Sequence, residues 1–117
     1  MHAVGIVFLF ILVGCGGFCS DKVNAESSSP DNVLKATWFE RDCGATTDFS
    51  EIVSIHKPDN TYKDDSDIVF VAKGRGQIHL SWSGPRHLSI ECIGCQRKDI
   101  FKEVSKIGDI DVTAASR

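Results

Sequence analysis

A series of short apolar segments separated by turn residues constrains the fold of this chain more than any other feature. The segments are rich in β-branched and aromatic residues, a composition typical of strands. No window shows a sustained helical period. Six strands are therefore predicted after about residue 32, at residues 33–40, 51–56, 67–72, 77–82, 87–92 and 100–104.

The fourth and fifth segments alternate most clearly. Ile78, Leu80 and Trp82 are separated by polar residues, and the same pattern recurs around Leu88 and Ile90. Each strand therefore has one face toward a core and one toward water. The connections contain Gly or Pro and are short, which favours antiparallel neighbours. We predict an all-β domain, a single antiparallel sheet of about six or seven short strands that curls into a small sandwich or partial barrel.

The N-terminus carries a targeting signal. All 13 Lys and Arg residues and all 16 Asp and Glu residues lie from Asp21 onward, whereas residues 3–13 are an apolar run. That run is too short for a bilayer-spanning helix but matches the apolar region of a signal peptide. It ends in Leu12-Val13-Gly14-Cys15, which resembles the lipobox of bacterial lipoproteins. By that resemblance residues 1–14 are a signal peptide, and Cys15 becomes the lipidated first residue of the mature protein.

Two alternatives stay open for this region. Val23-Asn24-Ala25 resembles a small-residue cleavage site, so soluble export by cleavage after Ala25 is one of them. The other is an uncleaved apolar anchor over residues 3–19. All three interpretations place the body outside the cytoplasm. Residues 15–32, rich in Ser, Asn and Asp, are predicted to be a flexible tether before a β-domain at 33–117.

Residues 39–50, Phe-Glu-Arg-Asp-Cys-Gly-Ala-Thr-Thr-Asp-Phe-Ser, join the first two predicted strands. A hairpin with its loop at 44–48 places Arg41 opposite Glu51. A shift by one residue would place Glu40 opposite Glu51, and opposed like charges destabilise a strand pair. We therefore expect a cross-strand ion pair between Arg41 and Glu51.

The chain has five cysteines. If Cys15 is lipidated, a disulfide from Cys43 to Cys92 or Cys95 is the first choice, because Cys19 lies in the predicted tether. An exported cysteine is usually part of a disulfide, so catalysis by Cys43 is not expected. Cys92-Ile93-Gly94-Cys95 also matches a redox C-x-x-C motif or half of a zinc site, although no helix follows it.

Other candidate sites are weaker. The three histidines of the body, His56, His79 and His87, lack the spacing of a zinc site. His79 and His87 are expected to be cross-strand neighbours on a polar face. The acidic segment 59–67 lacks the ligand spacing of a calcium loop. The basic turn at 73–76 precedes no helix that would bind phosphate. No metal and no cofactor are expected.

The sequence Phe39 to Ser50, followed by Val53-Ser54-Ile55 and Asp67-Ile68-Val69-Phe70-Val71-Ala72, resembles a family of small bacterial proteins of unassigned activity that share an F-E-R-D-C-G-A-T-T-x-F-S signature. The likeness covers about residues 29–112. It implies family membership and an exported or membrane-attached location, and it implies no catalytic residues. Cys92-x-x-Cys95 is not part of the family pattern.

These observations favour a lipid-anchored protein of the bacterial cell envelope, facing outside the cytoplasm. The net charge of −3 and the mixed charge pattern argue against nucleic acid as a partner. Because no catalytic set converges, we predict a non-enzymatic binding or structural β-domain. Its partners would be the bilayer, through acylated Cys15, and an envelope protein or the wall. The alternative is an exported thiol-dependent redox or metal-binding protein that uses Cys92 and Cys95.

Overall fold

The segments with strand-like composition form the strands of two facing sheets. The computed structural model describes residues 19–44 and 49–117. These residues form nine strands and two single-turn 3-10 helices, Asp65–Asp67 and Arg97–Asp99. The strands are β1 Ser20–Ser28, β2 Lys35–Asp42, β3 Ser50–His56, β4 Ile68–Lys73, β5 Gln77–Gly84, β6 His87–Ile93, β7 Ile100–Glu103, β8 Lys106–Ile107 and β9 Ile110–Ser116.

The first sheet has the order β1-β2-β3-β4-β7 and the second the order β5-β6-β9-β8. Apolar side chains from both sheets form the core between them, including Val53, Phe70, Leu88, Ile90 and Val112. The all-β prediction is confirmed, and the strands are divided between two sheets that pack as a small sandwich. In the described part of the chain, no helix has the length and apolar character needed to cross a bilayer.

One ladder departs from the predicted antiparallel arrangement. β6 and β9 pair in parallel from His87–Asp111 to Cys92–Ser116. Parallel neighbours need a crossover of about a dozen residues or more. Residues 94–109 provide it, passing through β7 in the first sheet and β8 in the second. The crossover contains strands of its own, so the short connections in the sequence did not reveal it.

The first sheet is buried on both faces around β3. Every residue from Glu51 to His56 is buried. One face of the sheet meets the second sheet, and the other carries a smaller cluster of Phe39, Ile52 and Ile68. Tyr62, from the connection between β3 and β4, covers this cluster with its ring 4.7 Å from that of Phe39. Apolar side chains thus cover both faces of the first sheet around β2 and β3.

The prediction of a flexible tether over residues 15–32 is wrong for residues 20–28, which form β1. This strand pairs with β2 from Ser20–Asp42 to Ser28–Lys35. Most of β1 is exposed, so its polar side chains face water while its backbone completes the ladder at a sheet edge. The turn that follows is ordered by Ser29, whose buried hydroxyl donates to Asp31 and accepts from the Leu34 amide.

The predicted register of the β2–β3 hairpin is also wrong. Glu40 lies opposite Glu51 and Arg41 lies opposite Ser50. Successive side chains of a strand point to opposite faces, so Arg41 and Glu51 point away from each other. Arg41 instead pairs with Asp21 of β1, with Nε 2.9 Å from Oδ1. β1, the strand that sequence analysis missed, thus supplies the ionic partner of Arg41, a role that we had predicted for Glu51.

Candidate functional site

Both disulfides lie at one end of the sandwich, which we call the disulfide end. Here β2 ends at Asp42, β3 begins at Ser50 and β4 ends at Lys73, and the register places Arg41, Ser50 and Lys73 side by side. The turn from β4 to β5 brings the start of β5 to the same end. The opposite end, where β2 begins at Lys35 and β3 ends at His56, is called the far end.

The first disulfide joins Cys19 to Cys43, with their Cα atoms 4.0 Å apart. We expected Cys43 to pair with Cys92 or Cys95, and the structure gives it a different partner. The pairing of Ser20 with Asp42 places the residues just outside the two strands side by side. The disulfide therefore closes the open end of the β1–β2 ladder and fixes the N-terminal edge strand.

The second disulfide joins Cys92 to Cys95. Cys92 is fully buried at the end of β6 and Cys95 is 8% exposed. Gly94, with φ 85°, makes the turn between them, in a conformation that favours glycine. The C-terminal residue holds this turn, because the Gly94 amide donates to Arg117 O at 2.7 Å and the Arg117 amide to Cys92 O at 3.0 Å.

Gly76, in the turn before β5, lies directly against this disulfide. A Cβ atom at Gly76 would collide with Cys95 Sγ and would lie 3.0 Å from Cys92 Sγ. The absence of a side chain at residue 76 is therefore required for the disulfide to occupy its site. Of the two cysteines, Cys95 is the less buried.

A pair of carboxyl groups faces the second sheet near the disulfide end. Glu51 is only 1% exposed, and the Trp38 indole Nε1 donates to its Oε1 at 2.6 Å. Glu51 Oε2 is buried with no hydrogen-bond donor. Glu40 lies directly opposite. A proton on Glu51 Oε2, donated to the Glu40 carboxylate, gives this buried oxygen its hydrogen bond.

Burial is the main cause that raises the pKa of Glu51 to about 7, and the hydrogen bond and negative charge of Glu40 raise it further. The Trp38 hydrogen bond and the positive charge of Arg75 act in the opposite direction. Across β2, Lys22 of β1 is in register with Glu40. The like-charge repulsion used to choose the hairpin register is therefore weak, because one of the two carboxyl groups is neutral up to about pH 7.

The outer face of the second sheet is a shallow groove of about 460 Å³. Small polar side chains line its floor, among them Ser81, Ser89 and Thr113. His79 lies opposite Glu91, and His87 Nε2 is 2.9 Å from Thr113 Oγ1. His79 and His87 are thus not opposed, contrary to expectation. Leu80, Ile90 and Ala115 also line the groove, which is open to solvent.

Three further predictions concern Cys15, the acidic segment 59–67 and a possible metal site. Cys15 lies outside the described residues. In the acidic segment, Asp64 accepts hydrogen bonds from the Ser66 amide and hydroxyl and begins the Asp65–Asp67 turn. Within 19–44 and 49–117, no three or more His, Cys, Asp or Glu residues are placed to hold a metal ion, so Cys92 and Cys95 find no further zinc ligands there.

Sequence reasoning missed Asp21, Trp38 and Glu40 as members of these arrangements. Asp21 was assigned to the tether, and no hydrogen-bonding role was predicted for Trp38. The signal for Glu40 was present, since the alternative register placed it opposite Glu51. That register was rejected because both carboxylates were assumed to be charged.

Comparison of the chain with protein-family models, with curated proteins and with solved structures found no match.

Proposed function

We propose that this chain is a lipid-anchored protein of the bacterial cell envelope whose body is a non-enzymatic β-domain that binds a partner. The observation that carries the proposal is the state of the cysteines: the four within the described residues form two disulfide pairs. Disulfides persist in oxidising compartments outside the cytoplasm. Export to such a compartment agrees with the apolar run before Cys15 and with the charge-free first twenty residues.

The lipid anchor is the part of the proposal that rests on the sequence. Cys15 is the one cysteine left outside the two disulfides, and it ends the lipobox-like sequence Leu12-Val13-Gly14-Cys15. An acylated cysteine cannot form a disulfide, and the pairing of the other four cysteines with one another is compatible with acylation of Cys15. The partner is sought at the groove on the second sheet, where exposed polar side chains face away from the core.

Substitution of Cys15 tests the anchor. The full chain and its Cys15→Ser variant are expressed in a bacterial host, and the mature mass and the membrane fraction are measured. We expect acyl mass on Cys15, cleavage before it, and loss of both in the variant. Cys19→Ser is the matched control and keeps acylation and membrane attachment. A Cys15→Ser protein that is still processed and membrane-bound would overturn the proposal.

The second candidate is thiol-disulfide exchange at Cys92 and Cys95. The observation behind it is the bond between these two cysteines in a C-x-x-C sequence, with Cys95 8% exposed and Cys92 fully buried. In such a reaction two substrate thiols would be oxidised to a disulfide while the Cys92–Cys95 bond is reduced to two thiols. Alkylation of thiols after equilibration in glutathione buffers measures the reduction potential. A disulfide that resists reduction at about −300 mV excludes exchange as the function.

A further inference from the structure

The four edge strands of the two sheets differ in how well they are protected from pairing with another chain. An edge strand exposes backbone N–H and C=O groups, and proteins protect such edges with short strands, charged side chains or bulges. β7 and β8 are short, with four and two residues. β1 carries the charged residues Asp21, Lys22 and Glu26, and a bulge interrupts its ladder. Three of the four edges are therefore protected.

The fourth edge strand, β5, lacks these features. Its eight residues, Gln77–Gly84, include no Asp, Glu, Lys, Arg or Pro. Its ladder with β6 is regular from Gln77–Ile93 to Trp82–Leu88, and the register shifts only beyond Trp82. Within the part of the chain that the structure describes, β6 is the one strand that pairs with β5. Alternate residues of β5 therefore direct their backbone N–H and C=O groups away from the sheet.

The inner face of β5 is incompletely covered. Ile78 is buried, whereas Leu80 and Trp82 are only partly buried where they pack against the core. The Trp82 indole Nε1 donates to Ser27 O of β1 at 3.0 Å, but this contact is made by the side chain and does not satisfy the backbone of β5. A strand added beside β5 would cover Leu80 and Trp82 and would pair with the outward backbone groups. The exposed outer row of β5 is formed by Gln77, His79, Ser81 and Ser83.

A second copy of β5, running antiparallel, matches this edge. With the two Leu80 residues facing each other across a two-fold axis, Ile78 lies opposite Trp82 and His79 lies opposite Ser81. Apolar residues then face apolar residues on the inner side, and polar residues face polar residues on the outer side. Because β5 carries no Asp, Glu, Lys or Arg, this pairing opposes no like charges from those residues. A shift by one residue would turn the apolar row of the second copy toward water.

We propose that β5 is a homodimer interface, at which two copies of the chain pair antiparallel about Leu80 and join their four-stranded sheets into one. The grooves on the outer faces of the two sheets then adjoin, with His79 and Ser81 of both copies between them. A single strand pair is a small interface, so we expect a dissociation constant between about 1 μM and 1 mM. The proposal does not depend on acylation of Cys15.

Cysteine cross-linking tests the register. A full-length chain with His79→Cys is co-expressed with one carrying Ser81→Cys, and disulfide-linked peptides of the non-reduced protein are identified by mass spectrometry. Opposed residues of an antiparallel pair have Cα atoms within about 5.5 Å of each other, a distance that a disulfide can span. The control combines Ser81→Cys with Thr113→Cys, because Thr113 is exposed on the same face two strands from the edge. We expect the link between residues 79 and 81 to be about tenfold more abundant than the control link.

Charge substitution tests the interface itself. A chain with both His79→Lys and Ser81→Lys places lysine opposite lysine twice across the two-fold axis, which weakens strand pairing. Sedimentation equilibrium of the full chain in detergent solution should show a dissociation constant raised about tenfold. The matched variant, Thr113→Lys with Ala115→Lys, adds the same charges in the same two rows on β9 and should leave association unchanged. Mixing the lysine variant with a chain carrying His79→Glu and Ser81→Glu should restore association.

Three results would overturn the homodimer. The first is a full chain that stays monomeric up to about 1 mM. The second is a link between residues 79 and 81 that is no more abundant than the control link, and the third is a dimer that the lysine variant does not weaken. Slow amide exchange along β5 in a monomeric protein would show that another segment covers this edge, and this too would overturn the proposal. Acylation of Cys15 is measured separately, so none of these results affects the anchor.

Discussion

The buried carboxyl group of Glu51 should make the stability of this domain decrease as the pH rises from about 4.5 to about 7. The pKa of Glu51 is raised from 4.5 to about 7, mainly by burial and then by Glu40. Between these two values the folded state holds a proton on Glu51 that the unfolded state has released. Stability rises with pH only where the unfolded state binds more protons, so here it must fall.

The magnitude follows from the distance between the two pKa values. Each pH unit between 4.5 and about 7 is worth about 1.4 kcal/mol, so full ionisation of Glu51 costs the folded state about 3 kcal/mol. Glu51→Gln removes this cost. Glutamine keeps an oxygen that accepts from Trp38 Nε1 and supplies an N–H that donates to Glu40. The variant should therefore match the natural protein near pH 4.5 and exceed its free energy of unfolding by up to about 3 kcal/mol at pH 8.

Urea unfolding of the oxidised protein, followed by tryptophan fluorescence at a series of pH values, measures this difference. Subtracting the natural protein from the variant removes the contributions of all other titrating groups. Glu26→Gln is the matched control, because Glu26 is an exposed residue whose carboxylate is 3.5 Å from Lys35 Nζ. Its curve should run parallel to that of the natural protein. A difference between Glu51→Gln and the natural protein that stays constant from pH 4.5 to 8 would refute the proton on Glu51.

Two further predictions concern the disulfide end and the edge strand, and both are measured as shifts of the urea midpoint. Gly76→Ala places a Cβ against Cys95 Sγ and should destabilise the fold by about 1–3 kcal/mol. The control Gly84→Ala meets no atom within 4 Å and should cost less than about 1 kcal/mol. Equal effects of the two substitutions would contradict the contact between Gly76 and the disulfide. Arg41→Met leaves Asp21, whose side chain is 6% exposed, without its ionic partner, and should lower the free energy of unfolding by about 2 kcal/mol. Amide hydrogen exchange along β1 should become faster. A loss below about 0.5 kcal/mol would mean that this ion pair does not hold β1 in place.

The sequence predicted the strands that have one buried face. In the β5 and β6 segments, Ile78, Leu88 and Ile90 alternate with polar residues and are buried as expected. Alternation of apolar and polar residues indicates which face of a strand is buried against the core. The same reasoning could not find β1, because an edge strand with both faces largely exposed shows no alternation. β1 is held in place by its backbone hydrogen bonds to β2, by the Asp21–Arg41 ion pair and by the Cys19–Cys43 disulfide.

The register of the β2–β3 hairpin failed for a different reason. The rule that opposed carboxylates repel holds when both are charged, and charge depends on burial that a single sequence does not give. Glu51 is buried in the centre of a sheet, so it is the protonated partner of Glu40 and not the ionic partner of Arg41. The ion-pair rule chose the wrong register because it treated a buried site as an exposed one.

The wrong predictions about the tether and the disulfide have a common origin in β1, and β1 also supplies the partner of Arg41. Once residues 20–28 are a strand, Asp21 is available to Arg41, so the hairpin no longer needs Glu51 to neutralise it. The same pairing brings Cys19 to Cys43 and leaves Cys92 and Cys95 to pair with each other. The structural consequence reaches the proposed anchor. A flexible tether of eighteen residues over 15–32 would have let the domain lie in any orientation far from a membrane, whereas an edge strand closed by a disulfide leaves four residue steps between Cys15 and the folded body.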